Sequence, residues 1–166
     1  MESRIPHPAM TVPGALDALR QFSAAIQATN LPRSVTAMVA LRASQINGCS
    51  ACVDIHAREL RALGEPDTRI FTLAAWREAP YFSEAERAAL ALTEAATRIA
   101  DRPDSVSDEI WTQAAEQFDE QQLAALVLGI AAINTWNRIN ATTRQITGEW
   151  VQQLVDASLH AEAQAA

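Results

Sequence analysis

The sequence predicts an all-α protein. Three observations carry that expectation: apolar residues recur at intervals of three and four, the segments so defined are bounded by capping motifs, and no stretch alternates apolar and polar residues as a half-buried strand would. At 166 residues, 49% of them hydrophobic, the chain suits one domain whose core needs neither disulfide nor metal to hold it.

Residues 1–13 are expected to form an extended arm that frays, because Pro6, Pro8 and Pro13 prevent a helix. His7 in this arm and His160 near the other end read as solvated. A single helical domain is expected over 14–166. Its first helix covers 14–30, on the stripe Leu16, Leu19, Phe22 and Ile26. Asn30-Leu31-Pro32 is a break, and a second helix runs over 34–46. A third spans Cys49 to Leu63, delimited by Gly48 before it and by Gly64, at a left-handed cap, and Pro66 after it. Asp67 is placed to cap a fourth, shorter helix ending near Ala79-Pro80, with Ile70, Phe71, Leu73, Ala74 and Trp76 inward. Ser83-Glu84-Ala85-Glu86 is a capping box that opens a helix to about Ala100, and another amphipathic helix covers 108–118. Asp119 with Gln122 caps a long helix to about Asn140, apolar around much of its circumference and therefore expected to be central. A last helix follows Gly148 and fades into an alanine-rich tail after about His160.

The chemistry gathers on the third helix. Asn47-Gly48-Cys49-Ser50-Ala51-Cys52-Val53-Asp54-Ile55-His56 holds the only two cysteines and one of three histidines. The helical period puts Cys49, Cys52 and His56 on one face. Cys49 falls at the helix start, where unpaired amides and the positive end of the dipole favour a thiolate. A CxxC in that position lowers a cysteine pKa from about 8.5 to between roughly 3.5 and 7.5. A sulfenic acid on one sulfur lies within reach of the other, so the pair can condense to a disulfide and be reduced again. A histidine one turn on can exchange a proton with a thiol or a departing alkoxide. Zinc would want four ligands where this motif supplies three, so neither metal nor cofactor is expected. Buried, inert cysteines are the plain alternative, and the histidine and its spacing count against it.

The run Ser44-Gln45-Ile46-Asn47-Gly48-Cys49 through His56 resembles the signature of the alkylhydroperoxidase D-like branch of the carboxymuconolactone decarboxylase family, and Ile133-Asn134-Thr135-Trp136-Asn137-Arg138-Ile139-Asn140 resembles that family's later helix. The resemblance implies a multi-helix bundle, an obligate homo-oligomer such as a trimer or hexamer, and alkyl hydroperoxide reductase activity of the peroxiredoxin type. It also implies that Cys52 attacks the peroxide while Cys49 resolves it. Two positions depart from the pattern: Ala37 stands where the family's glutamate would be, twelve residues before Cys49, and Ala51 where a histidine precedes the second cysteine. Glu94, in another stretch resembling the family, is the candidate for the missing acid; flanked by apolar residues, it needs a partner.

A formal charge of −7, with every basic residue an arginine, argues against nucleic acid as a partner. No apolar run approaches the roughly 18 residues of a membrane span, and two close cysteines point to a reducing, cytoplasmic setting. The expected function is a thiol peroxidase acting through Cys49, Cys52 and His56, with Glu94 as acidic partner and a lipoyl, thioredoxin-like or small-thiol reductant. The alternatives are a decarboxylase or lactone-type enzyme of the same family, and a redox sensor or oligomeric interaction protein without turnover.

Overall fold

Most helices stop and start where the backbone demands it. Gly48 and Gly64 take left-handed φ values of 67° and 87°, ending the helices before them, and both predicted capping boxes form, at Ser83/Glu86 and Asp119/Gln122. The computed structural model describes residues 2–163, with side chains through 157, and every regular element among the described residues is helical. In chain order these are α1 (Pro8–Thr11), α2 (Ala15–Gln27), α3 (Arg33–Asn47), α4 (Ser50–Ala62), α5 (Asp67–Thr72) running into a 3-10 turn (Leu73–Ala75), α6 (Glu84–Thr97), α7 (Asp108–Gln117), α8 (Glu120–Thr143) and α9 (Glu149–Ala163).

The centre is α3 with α8. Helix α3 packs on α4, α6 and α8, and α8 also meets α2, while α9 lies on α4. Around Leu41, Leu60, Leu73, Leu90 and Leu126, all buried, the main core extends through most of the bundle. A second, smaller apolar cluster stands apart from it: Ala40, Ala43, Cys49, Cys52 and Ile133, with Trp136 against them.

The structure corrects several expectations. Pro8 does not exclude a helix, because a proline at the first helical position lacks only an N–H that has no partner there anyway, and His7 caps the short α1 that results. Nor is the arm loose: its backbone and side chains are bonded to the end of α8. Asp67 is the first residue of α5 rather than its cap, and its carboxylate turns to Arg61 instead. Phe71 is 72% exposed and Ala74 is exposed too, since the chain tightens into a 3-10 turn after Thr72 and the inward stripe falls on Ile70, Leu73 and Trp76. The side chain of His160 and the tail beyond residue 163 lie outside the described residues.

Candidate active site

The two sulfurs are brought together by an abrupt reversal between α3 and α4. Gly48 ends α3, Cys49 donates its backbone N–H to Ser44 O at 3.1 Å, and the next residue is already the first of α4, so Cys49 is the N-cap. Cys52 follows one turn later on the same face. Their Sγ atoms lie 2.7 Å apart as free thiols, each cysteine 2% exposed.

At that separation the pair titrates as a unit. The Cys49 thiol is lowered to about 6, chiefly by its hydrogen bond with Cys52; burial opposes this, and the Cys52 backbone N–H, the charge of His56 and the Asn140 amide add to it. Cys52 is pushed up by the same hydrogen bond, by burial and by the neighbouring anion, with Asn140 and Asn137 acting the other way. One proton therefore leaves the pair easily, and the proton that remains rests on Cys52.

His56, one turn beyond Cys52, is oriented by an acid the sequence reading passed over. Its Nδ1 donates to Glu59 Oε2 at 2.8 Å, and Arg33 at the start of α3 donates to the other carboxylate oxygen at 3.0 Å. Burial alone would push the Glu59 carboxyl up; the His56 and Arg33 bonds and charges outweigh it and hold it below the usual carboxylate range. The signal was present as His56-x-x-Glu59, two residues on one helical face. Glu94 is placed elsewhere. It lies on α6, receives Arg42 Nε at 2.7 Å, Trp76 Nε1 at 2.9 Å and Arg77 Nη1, and is not among the residues lining the cavity described below. It finds the partners that a buried carboxylate needs, but they are structural ones. Ala37 and Ala51 are buried, at 1% and 0% exposure.

The sulfurs also face a row of asparagines. Asn134, Asn137 and Asn140 recur every three residues along α8 and all are buried. Asn137 donates to Ser44 Oγ at 3.0 Å and accepts from Asn47 at 2.9 Å; Asn134 accepts from Asn47 at 3.0 Å and donates to Thr97 at 3.1 Å. Asn140 donates to Cys52 Sγ at 3.3 Å. Asn137 thus joins α8 to α3; that Asn140 would touch a sulfur was visible only as the three-residue spacing.

Cys52, His56 and Glu59 open onto a cavity of about 600 Å³, walled by Ile133 and Trp136 on α8 and by Leu154 and Val155 on α9. Helix α2 contributes Arg20, Ser23 and Gln27, and the arm contributes His7 and Met10. Cys49 lies behind Cys52, not on the wall. Among the described residues no group of three or more His, Cys, Asp or Glu is placed to hold a metal ion, and no helix is long and apolar enough to cross a membrane.

Fold and site together define a helical-bundle protein with a histidine-flanked cysteine pair at the edge of an apolar cavity. The chain belongs to the carboxymuconolactone decarboxylase family, whose model matches residues 13–95, and within it to the alkylhydroperoxidase D-like members. It is 40% identical over 112 residues to the uncharacterized protein YdfG of Bacillus subtilis (strain 168), an alignment covering 68% of this chain and 75% of that one. A crystal structure of a protein of unknown function from Agrobacterium tumefaciens, whose suggested role is AhpD-type antioxidant defence, superposes with a TM-score of 0.83 at 33% identity, covering 89% of this chain and 99% of that one. The debrominase Bmp8 shares the fold at a TM-score of 0.74 and 20% identity, covering 87% and 76% of the two chains. The fold therefore accommodates more than one chemistry, and function has to be argued from the site.

Proposed function

We propose that the protein is a thiol peroxidase that reduces hydroperoxides through Cys52 and Cys49, with His56 handling the proton. One observation above all supports this reading: two sulfurs 2.7 Å apart, of which Cys52 shares the wall of an apolar cavity with His56. When the shared proton crosses to Cys49, the thiolate lies on Cys52, where Asn137 and Asn140 favour it. It attacks the terminal oxygen of the hydroperoxide. The O–O bond breaks, sulfur is oxidised to a sulfenic acid, and the departing alkoxide takes from His56 Nε2 the proton that the cysteine pair had released to it, leaving as an alcohol. The Cys49 thiol then condenses with that sulfenic acid: the S–S bond forms, the S–O bond breaks, and the thiol proton leaves with the hydroxide as water. A dithiol of lipoyl or thioredoxin-like type returns the pair to the reduced state.

The reading includes a homo-oligomer, trimer or hexamer, for which Trp111, Val127 and Leu128 offer support, being 44%, 41% and 46% exposed. The test is a count of free thiols in reduced protein before and after one equivalent of cumene hydroperoxide. Wild type should lose both, Cys49→Ser its one remaining thiol, and Cys52→Ser none. Survival of both wild-type thiols would overturn the proposal. Loss without turnover in the presence of dithiols would replace the enzyme by a redox sensor.

A further inference from the structure

We infer that His7, in the N-terminal arm, is a positioning residue of this site: through Asn140 it dictates which face of an amide is presented to the Cys52 sulfur. The inference begins with why the arm is where it is. A helix leaves its last four carbonyls without helical partners, and at the end of α8 two of the four are satisfied by the arm. Gln145 N and Arg144 N bond to Asn140 O and Ala141 O at 2.9 and 3.3 Å, while Arg4 supplies Nη1 to Thr142 O at 3.0 Å and its backbone N–H to Thr143 O at 2.9 Å. Arg4 also brings a cation to the negative end of the helix dipole. Gln145 Nε2 donates to Ile5 O at 3.2 Å, and two residues further the chain reaches His7.

From His7 a chain of hydrogen bonds runs to the sulfur, and its polarity can be settled from one end. The Ala9 backbone N–H can only donate, and it meets His7 Nδ1 at 3.2 Å, so that nitrogen accepts and the ring proton of the neutral imidazole lies on Nε2. Nε2 lies 3.0 Å from Asn140 Oδ1 and donates to it. With its oxygen so engaged, Asn140 must turn its NH2 to Cys52, 3.3 Å away. An asparagine amide has two nearly isosteric orientations, and the other one would present a carbonyl oxygen to the sulfur. An N–H favours a thiolate there and a carbonyl opposes it. His7 is half-buried on the cavity wall, its ring 6.1 Å from that of Trp136, and is thus held in place by packing as well.

The role rests on the peroxidase reading for its purpose, but its test reads the sulfurs directly. Reduced full-length protein is titrated by thiolate ultraviolet absorbance and by the pH dependence of alkylation, for wild type, His7→Ala, His7→Gln, Asn140→Ala and the His7→Ala/Asn140→Ala double variant. Loss of one ordinary hydrogen bond's directing effect should raise the first thiol midpoint by about half to one pH unit in His7→Ala, so that roughly 3- to 10-fold less thiolate is present below the midpoint. His7→Gln, whose side-chain N–H reaches close to the position of the imidazole Nε2–H, should recover most of the loss. In the Asn140→Ala background the His7→Ala change should do nothing further. An unchanged midpoint in His7→Ala, a His7→Gln variant as impaired as the alanine, or an effect that persists without Asn140 would each overturn the inference. A normal titration response together with thiols inert to peroxide would leave it standing and overturn the peroxidase reading instead.

Discussion

Glu94 and Glu59 are both carboxylates inside the bundle, both held below their usual range against the cost of burial, yet they belong to different kinds of structure. Glu94 is saturated by Trp76, Arg77 and Arg42, groups that do not change protonation near neutral pH, and it ties α3 and the 3-10 turn to α6. Glu59 is bonded to Arg33 and to a histidine, and the other ring nitrogen of that histidine has no hydrogen-bond partner among the described residues while its ring lines the cavity. The same contrast separates the two apolar clusters. The main core is continuous, aliphatic with Trp76, Phe82 and Phe118 among its residues; the small one is built around two sulfurs and backed by asparagines. A buried polar group whose partners are all fixed serves the scaffold. One whose partner can still exchange a proton with the cavity is, on the proposed function, part of the chemistry.

Removing a carboxylate from the first kind of structure should give the largest effect. Glu94→Ala leaves Arg42, whose side chain is only 13% exposed, as an unpaired buried cation and deprives the Trp76 indole N–H of its acceptor. Breaking such a pair costs about 3–5 kcal/mol, with little of it from the Arg77 contact, because that side chain is 59% exposed and screened. The expected melting-temperature loss is on the order of 10 °C for a chain of this size. The rate of peroxide-driven thiol loss, measured well below the lowered melting point, should stay within about twofold of wild type. A large rate loss with an unchanged melting curve would return Glu94 to the role of acidic partner.

His56→Ala should show the reverse pattern. Loss of a positioned proton donor lowers the rate of thiol oxidation by about 100-fold, and the melting temperature should fall less than in Glu94→Ala, because Glu59 keeps Arg33 as a partner. The pH dependence follows from its charge. His56 is one of the influences that lower Cys49 to about 6, so its removal disfavours the anion and moves the first thiol midpoint upward. In the wild type the sign of the linked stability is also fixed. A thiol depressed from its ordinary 9.0 to about 6 contributes stability that is complete above 9 and is lost as pH falls through 6. Reduced protein should therefore become more stable on going from pH 6 toward 9, and Cys49→Ser should flatten that rise.

Much of this was legible in the sequence, for reasons that particular residues make clear. Capping boxes, glycines past helix ends and the cysteine spacing are local signals, and they located α3, α4, α6 and α8 to within a few residues. Cys49, Cys52 and His56 share a helix, so the helical period alone gathers them. What was not legible depends on contacts between distant segments. Ala37 stands where an acid was expected and Glu94 was the candidate to replace it, and only the packing of α6 shows that two arginines and a tryptophan engage the Glu94 carboxylate instead. His7, 133 residues from Asn140 in the chain, could not be placed at the site by any local rule. Glu59 stands between these cases. Its spacing from His56 was readable, but an i,i+3 pair on a helix is more often a surface contact, and only its burial beside Arg33 sets this one apart.

The smallest effect sharpens the comparison most. Glu59→Gln keeps the shape of the side chain and an oxygen that can accept from His56 Nδ1, but it loses the full charge and gains an NH2 that can turn toward the same ring nitrogen and select the other tautomer. Partners that orient a reacting group in this way typically contribute about tenfold, so peroxide-driven thiol loss should fall by about that factor, well short of the loss in His56→Ala. If Glu59 acts only through His56, the two substitutions are not additive, and Glu59→Gln should change nothing further once His56 is alanine. Glu94→Gln supplies the matching measurement: it should lower the melting temperature and leave the rate alone. An additive Glu59 effect would mean that the carboxylate acts on the sulfurs or on Arg33 by a route that bypasses the histidine, and the distinction between the two acids would then lie in their distance from the cavity rather than in what they hold.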